Sequence, residues 1–211
     1  MKDKNEVSYQ RLRWGPCVIA LKTEKEFIDK LLDEAKGSQD SYGDRLAGHL
    51  KKEVKLDALN YKEYFDKMFT VYDHALQGWN RKEGFSQYVV SDLWCNFQKA
   101  NEFNPPHDHG ADLSFVLYPD VPDEISDECA AFTGTMRGPG GISWTYGEGD
   151  RTCISVVHQL PKTGDLYIFP ASLKHYVFPF KSPVTRVSVS GNIMFDQDSR
   201  IDYFSGKKHK T

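Results

Sequence analysis

Hydrophobic spacing divides this chain into a helical front and a strand-rich remainder. Phe27, Ile28, Leu31, Leu32 and Ala35 recur at the three- and four-residue intervals of an amphipathic helix. Thr23-Glu24-Lys25-Glu26 ahead of them has capping-box spacing, and Gly37 marks the stop. A longer stripe starts after Asn60: Tyr61, Tyr64, Phe65, Met68, Phe69, Tyr72, Ala75, Leu76 and Trp79. It keeps a helical period, and its aromatic weight reads as a surface packed on a sheet rather than a binding face. Ahead of both helices, within residues 8–22, a short apolar strand centres on Cys17-Val18-Ile19-Ala20. Residues 38–59 are polar, with a weak helical piece over Leu46 to Val54.

After Gly84 the period becomes two. The alternation predicts strands over 86–99, 113–118, 130–136, 142–146, 152–158, 164–169, 174–178 and 184–195, separated by Pro, Gly and Asp clusters. Short strands at regular spacing point to an antiparallel sandwich or barrel, and helices that come first in the chain pack on one outer face, an α+β arrangement. We expect one domain over 1–211: a strand and buttressing helices over 1–85, a strand-rich core over 86–195 and a tail over 196–211. Gly138-Pro139-Gly140-Gly141 lacks the Gly-Lys-Ser/Thr ending of a phosphate loop and reads as a tight turn between strands.

Composition narrows the partners. A net charge of −3 gives no electrostatic reason for nucleic acid or an anionic membrane as the main partner. No run of about 18 apolar residues exists, so no membrane-spanning helix is expected. The N-terminal Met1-Lys2-Asp3-Lys4-Asn5-Glu6 has no apolar stretch of the kind a secretory signal needs. Cys17, Cys95, Cys129 and Cys153 form no CxxC pair and read as free thiols in a reducing compartment, so the expected location is cytoplasmic (the host cytoplasm for a phage protein). The composition leaves an oligomer open.

The candidate chemistry lies in two segments. Asn104-Pro105-Pro106-His107-Asp108-His109-Gly110 runs into the apolar stretch Leu113 to Tyr118. In an extended segment side chains at i and i+2 point the same way, so His107 and His109 share a face and Asp108 takes the other. The prolines stiffen the approach. Later, Gly164 to Pro170 is followed by His175, and Arg186 comes eleven residues after that. Arg186, Ser188 and Ser190 share one face of the last long strand, and Val187 and Val189 the other. An arginine on an inner face is costly unless it meets an anion, and a carboxylate held bidentately is its natural partner. Ser188 adds a donor, and Tyr118 and Asn96 are placed to complete such a pocket. Imidazoles suit iron, and three protein ligands leave positions open for substrates and oxygen.

This ordered set, with the Phe169-Pro170 and Arg186-Val187-Ser188-Val189-Ser190-Gly191-Asn192 segments, resembles the 2-oxoglutarate/Fe(II)-dependent oxygenases. The resemblance is closest to their prolyl-hydroxylase-like branch of bacteria and of phages of marine bacteria. It covers about residues 86–195. It implies a double-stranded β-helix (a jelly roll, cupin-like), with Fe(II) held by the first motif and His175. Arg186 and Ser188 would bind the distal carboxylate of 2-oxoglutarate. The implied activity is a dioxygenase, a hydroxylase, that consumes O2 and couples decarboxylation of 2-oxoglutarate to succinate with oxidation of a prime substrate. That substrate stays open: a peptidyl proline, another protein side chain, a small metabolite or a nucleobase.

The chain departs from the superfamily at one position. The usual first motif is HxD, giving two histidines and a carboxylate, whereas here the second position is His109. Either His107, His109 and His175 form the set, or a carboxylate joins from Asp112 or Asp108. We favour the three histidines, with Asp112 supporting an imidazole N–H. Taken singly, His107 reads equally as a loop histidine, His175 as a satisfied core histidine, and Arg186 as the partner of a structural carboxylate such as Asp165. His49, His74, His158 and His209 have no motif around them, although His158 has a position from which it could line the cavity mouth. Trp94 and Trp144 read as core rather than substrate platform. The rival function is a cupin-like module that binds a metal or small ligand without a keto-acid, and Arg186 separates the two.

Overall fold

The computed structural model describes residues 15–79, 88–135, 138–149 and 154–195, with the side chains of 77–79 left aside. Along them run β1 (Ile19–Lys22), α1 (Lys25–Gly37), β2 (Glu53–Lys55), α2 (Lys62–Trp79), β3 (Tyr88–Gln98), β4 (Asn104–His107), β5 (Leu113–Asp120), α3 (Asp123–Ala131), β6 (Ile142–Thr145), β7 (Val156–Gln159), β8 (Asp165–Pro170), β9 (Lys174–Val177) and β10 (Arg186–Phe195). Two antiparallel sheets form, one in the order β1-β8-β5-β10-β3-β2 and one in the order β4-β9-β6-β7. From β3 onward the chain passes back and forth between the sheets. This winding is the double-stranded β-helix.

Strand parity sorts the large sheet into two faces. Leu93, Cys95 and Phe97 on β3, Phe115 and Leu117 on β5, and Val187 and Val189 on β10 pack against Phe27, Leu31 and Ala35 of α1 and Phe65, Phe69, Tyr72 and Leu76 of α2. The helices therefore buttress the outer face, as their stripes predict. Each fully buried Leu or Phe in this layer contributes about 1.5–3 kcal/mol. On the inner face Val116, Tyr118, Tyr167 and Phe169 meet Ile142 and Trp144 of the small sheet. The alternate residues of β3 and β10 face a cavity instead.

The structure corrects several expectations. Residues 123–131 form α3, overlapping the strand predicted over 130–136; Asp123 and Glu124 occupy its first turn after Pro122, and Ile125 is its buried anchor. Residues 136–137 lie outside the described part, as do 152–153 of the strand predicted over 152–158. The helical piece over Leu46 to Val54 is absent. A short 3-10 turn covers Gly43–Arg45, and Glu53–Lys55 pairs with β3, because edge pairing satisfies backbone groups there and a short, weakly amphipathic helix is marginal by itself. The capping box does not form: the residue before α1 is Glu24, with no side-chain cap bond. Gly138 to Gly141 does turn the chain into β6, but it connects from α3 and not from a strand. Gly140 takes φ +73, a left-handed conformation suited to glycine. Cys17, Cys95 and Cys129 are free thiols, while Cys153 lies outside the described residues. Among the described residues no helix is long and apolar enough to cross a membrane.

Candidate active site

The small sheet brings two of the histidines face to face. β4 pairs antiparallel with β9, and His107 stands directly opposite His175. Pro105 and Pro106 are tolerated in β4 because it is an edge strand, where a missing N–H breaks no ladder. His109 lies two residues past the strand, its backbone N–H donating to the Ala171 carbonyl at 2.9 Å. Ring centroids are 4.2 Å apart for His107 and His175, 5.0 Å for His107 and His109, and 5.2 Å for His109 and His175. One ring nitrogen from each lies within 4.8 Å of the others. Among the described residues this is the group of histidine, cysteine and acidic side chains that could hold a metal ion.

Backbone carbonyls set two of the tautomers. His107 Nδ1 lies 2.7 Å from the Pro105 oxygen, and His175 Nδ1 lies 2.9 Å from the Leu173 oxygen. A carbonyl only accepts, so both Nδ1 atoms carry the proton and both Nε2 lone pairs remain available. Burial first, and then the neighbouring His107, push His109 down to about 4 and His175 down to about 3. Both rings are thus neutral near pH 7, as a metal ligand must be.

Neither aspartate joins the group. Asp108 is exposed, on the opposite face that strand parity assigns it. Asp112 accepts from the Phe195 backbone N–H at 2.8 Å. At His107 and His175 the Nδ1–H rests on a main-chain carbonyl, and Asp112 ties the start of β5 to the end of β10.

The other end of the cavity carries Arg186, only 2% exposed. Its NH1 donates to the Gly140 carbonyl and its NH2 to Gln98 Oε1. Gln98 is its cross-strand partner and is oriented by its own Nε2 donating to the Glu102 carbonyl at 2.5 Å. The guanidinium sits 5.2 Å over the Tyr118 ring. No carboxylate pairs with it among the described residues. Asp165, the structural alternative, pairs with Lys22 at 2.5 Å. Arg186 Nε, the Tyr118 hydroxyl and Asn96 Oδ1 are buried without a hydrogen-bond partner. Asn96 Nδ2 donates to Ser188 Oγ at 3.2 Å.

One cavity joins the two ends. His107, His109, His175, Asn96, Tyr118, Arg186, Ser188 and Ser190 all line it. Buried donors next to an unpaired guanidinium are what a dianionic ligand with a distal carboxylate would satisfy, and three converging imidazoles at the far end fit a divalent iron. Gln98 and the Gly140 carbonyl were missed in the sequence. Gln98 was within reach, because it lies two residues beyond Asn96 on the same face. Trp94, read as core, is buried but also lines the cavity, 5.8 Å from His109. Trp144 packs on Tyr167 and Phe169. His158 bonds Ser143 Oγ at 2.9 Å and does not line this cavity; His49 stacks on Phe103.

Known proteins point the same way. Residues 92–192 match the family described as "Putative 2OG-Fe(II) oxygenase". No curated protein sequence matches the chain. Among solved structures, a Pseudomonas putida prolyl-4-hydroxylase is 14% identical with a TM-score of 0.54, over 84% of this chain and 92% of that one. A prolyl hydroxylase from Trichoplax adhaerens, in complex with a hypoxia inducible factor peptide fragment, is 14% identical with a TM-score of 0.54, over 92% and 88%. The alpha-ketoglutarate dependent epimerase SnoN from nogalamycin biosynthesis is 16% identical with a TM-score of 0.54, over 85% and 79%. At these identities the likeness is one of fold. The family match spans the paired strands that carry His107, His109, His175 and Arg186, so the part of the chain that is similar to 2OG-Fe(II) oxygenases is the part that builds the cavity.

Proposed function

We propose that this chain is an Fe(II)- and 2-oxoglutarate-dependent dioxygenase acting as a hydroxylase of the prolyl-hydroxylase-like branch, with His107, His109 and His175 as the iron ligands. Arg186, Ser188, Tyr118 and Asn96 form the 2-oxoglutarate pocket. The observation that carries this reading is Arg186: a buried guanidinium with an orphaned Nε, facing three histidines across one cavity. The bound iron, with 2-oxoglutarate and O2, supplies the oxidation, in which decarboxylation to succinate is coupled to oxidation of the prime substrate.

The protein's own residues place and isolate that chemistry. The Pro105 and Leu173 carbonyls hold His107 and His175 with Nε2 presented to the cavity. Arg186 offers Nε to a carboxylate while Gly140 and Gln98 fix its other nitrogens. Ser188, whose Oγ accepts from Asn96, has its own proton left to donate. Val116, Ile142 and Phe169 line the cavity with apolar surface. In this reading 86–195 is the catalytic core and 1–85 its buttress.

The prime substrate we favour is a side chain of a peptide or protein. The fold of two prolyl hydroxylases, one in complex with a peptide fragment, supports it. An epimerase of the same fold shows that the architecture also serves other outcomes. The test is succinate release from 2-oxoglutarate with and without Fe(II), followed by a screen of peptides for a mass gain of one oxygen. Iron binding without any iron-dependent succinate release would favour the keto-acid-independent, cupin-like reading.

A further inference from the structure

One buried ionisable group beside the cavity has no part in the function so far. Glu53 lies on β2, the edge strand of the large sheet, and is 4% exposed. Neither of its carboxyl oxygens has a hydrogen-bond partner. Its register makes it the third member of a row. Glu53 stands opposite Asn96 on β3, and Asn96 stands opposite Ser188 on β10. Directly opposed residues of antiparallel strands put their side chains on the same face, with Cβ atoms about 4.5–5.5 Å apart. The row Ser188–Asn96–Glu53 therefore crosses the inner face from the cavity to its rim.

The hydrogen-bond directions along this row are incomplete at one end. Asn96 spends an amide N–H on Ser188 Oγ and leaves its Oδ1 buried with no donor. Glu53 follows with two more buried oxygens. Three acceptors in sequence cannot satisfy one another, and each is destabilising if left bare. A protonated carboxyl removes the conflict, since its O–H is a donor. The surroundings keep water out. A Cβ on Gly48 would come within 2.9 Å of Glu53 Oε1, and one on Gly43 within 3.1 Å of Oε2, so the backbone of the 43–48 segment closes over the carboxyl. Leu50, two residues beyond this segment, lines the cavity, while Glu53 does not.

We propose that Glu53 is a positioning residue for the 2-oxoglutarate pocket: as a neutral acid it donates to Asn96 Oδ1, and so holds the Asn96 amide nitrogen on Ser188 Oγ. The Ser188 proton is then directed away from Asn96, toward a carboxylate beside Arg186. The relay rests on the reading that this pocket takes 2-oxoglutarate. Charged and titratable groups on the packed elements are Tyr42, Asp44, Arg45, His49, Lys51 and Lys52 before β2, Lys55 on it, Asp92 on β3, where the Tyr42 hydroxyl donates to it, and Lys99 and Glu102 on the turn after β3. Of these Glu102 acts on Glu53; burial first, and then Glu102, raise Glu53 to about 7. The relay is therefore complete below pH 7 and is lost as the carboxyl ionises above it.

The test is calorimetric titration of 2-oxoglutarate into the Fe(II)-loaded full chain under argon, from pH 6 to 8.5. Wild type should lose about tenfold in affinity over this range beyond the loss shown by Glu53→Gln, whose amide donates at every pH. Glu53→Leu should bind about tenfold more weakly than wild type at pH 6. Parallel pH curves for wild type and Glu53→Gln overturn the relay, as does undiminished affinity in Glu53→Leu. If Glu53→Leu does not fold, the comparison of wild type with Glu53→Gln decides alone. Arg186→Met separates the two levels. Loss of binding in Arg186→Met beside Glu53 variants that track wild type removes only the relay. Binding in Arg186→Met equal to wild type, or none in wild type at pH 6, removes the pocket assignment and the relay with it.

Discussion

At one end of the cavity His107 and His175 rest their Nδ1 protons on the carbonyls of Pro105 and Leu173, and burial keeps His109 and His175 neutral. At the other end Arg186 is fully buried, has no carboxylate partner among the described residues, and leaves Nε unsatisfied beside the orphaned Tyr118 hydroxyl. The histidine end is complete as a protein structure because a neutral ring, such as His175 with its Nδ1 on a main-chain carbonyl, costs little to bury. The arginine end is incomplete because a buried cation without an anion is expensive. Metal binding should thus depend on side chains that are already placed, and keto-acid binding on a deficit that the ligand removes.

The largest effects should come from the histidine end. His175→Ala and His109→Ala should each lose more than the 10–100-fold in metal affinity that loss of a supporting contact costs, and abolish succinate release. Metal titration with circular dichroism as a folding check measures this. A metal-replete, active His109→Ala would end the three-histidine assignment.

At the arginine end, Arg186→Met should cost about 2–5 kcal/mol in 2-oxoglutarate affinity, thirtyfold or more, and leave metal affinity unchanged. Its ligand-free stability should fall by less than its binding energy, since the variant also removes an uncompensated charge. Equal losses in stability and binding would mean that Arg186 is a structural residue.

A smaller effect should appear in the pH dependence of folding. Glu53 is raised from 4.5 to about 7 in the fold, so its contribution is full below pH 4.5 and is lost as pH rises through 7. Wild type should lose at most about 3 kcal/mol over that window relative to Glu53→Gln. Chemical denaturation of both proteins at pH 4.5 and 8 measures it, and identical slopes would remove the raised pKa.

Smallest should be Asp112→Ala, which strands the Phe195 N–H and should cost about 1–3 kcal/mol of stability while metal affinity stays within tenfold. Complete metal loss in this variant would restore a carboxylate to the ligand set.

Much of the architecture is legible along the chain because period reports direction. The Tyr61 to Leu76 stripe and the alternation of Val187 and Val189 with Ser188 and Ser190 tell which side chains share a face, before any partner is known. The strand expected over 130–136 gives way to α3 because Ala130-Ala131-Phe132 is short and apolar, and such a run fits a helix end as well as a strand. β2 is illegible because three residues carry no period; edge pairing to β3 alone makes them a strand.

The sequence by itself determined that His107 and His109 point together, that Arg186 and Ser188 share a face, and that the helices present one apolar side. These are local matters of residue geometry. Only the tertiary structure decided that His175 stands opposite His107, that Gln98 and the Gly140 carbonyl take two of the arginine's nitrogens from 88 and 46 residues away, and that Asp112 accepts from the Phe195 N–H. It also placed Glu53 at the end of the Ser188–Asn96 row. Side-chain direction follows from the backbone within a few residues, whereas strand neighbours are chosen when distant segments close around a common core and their buried polar groups must find partners there.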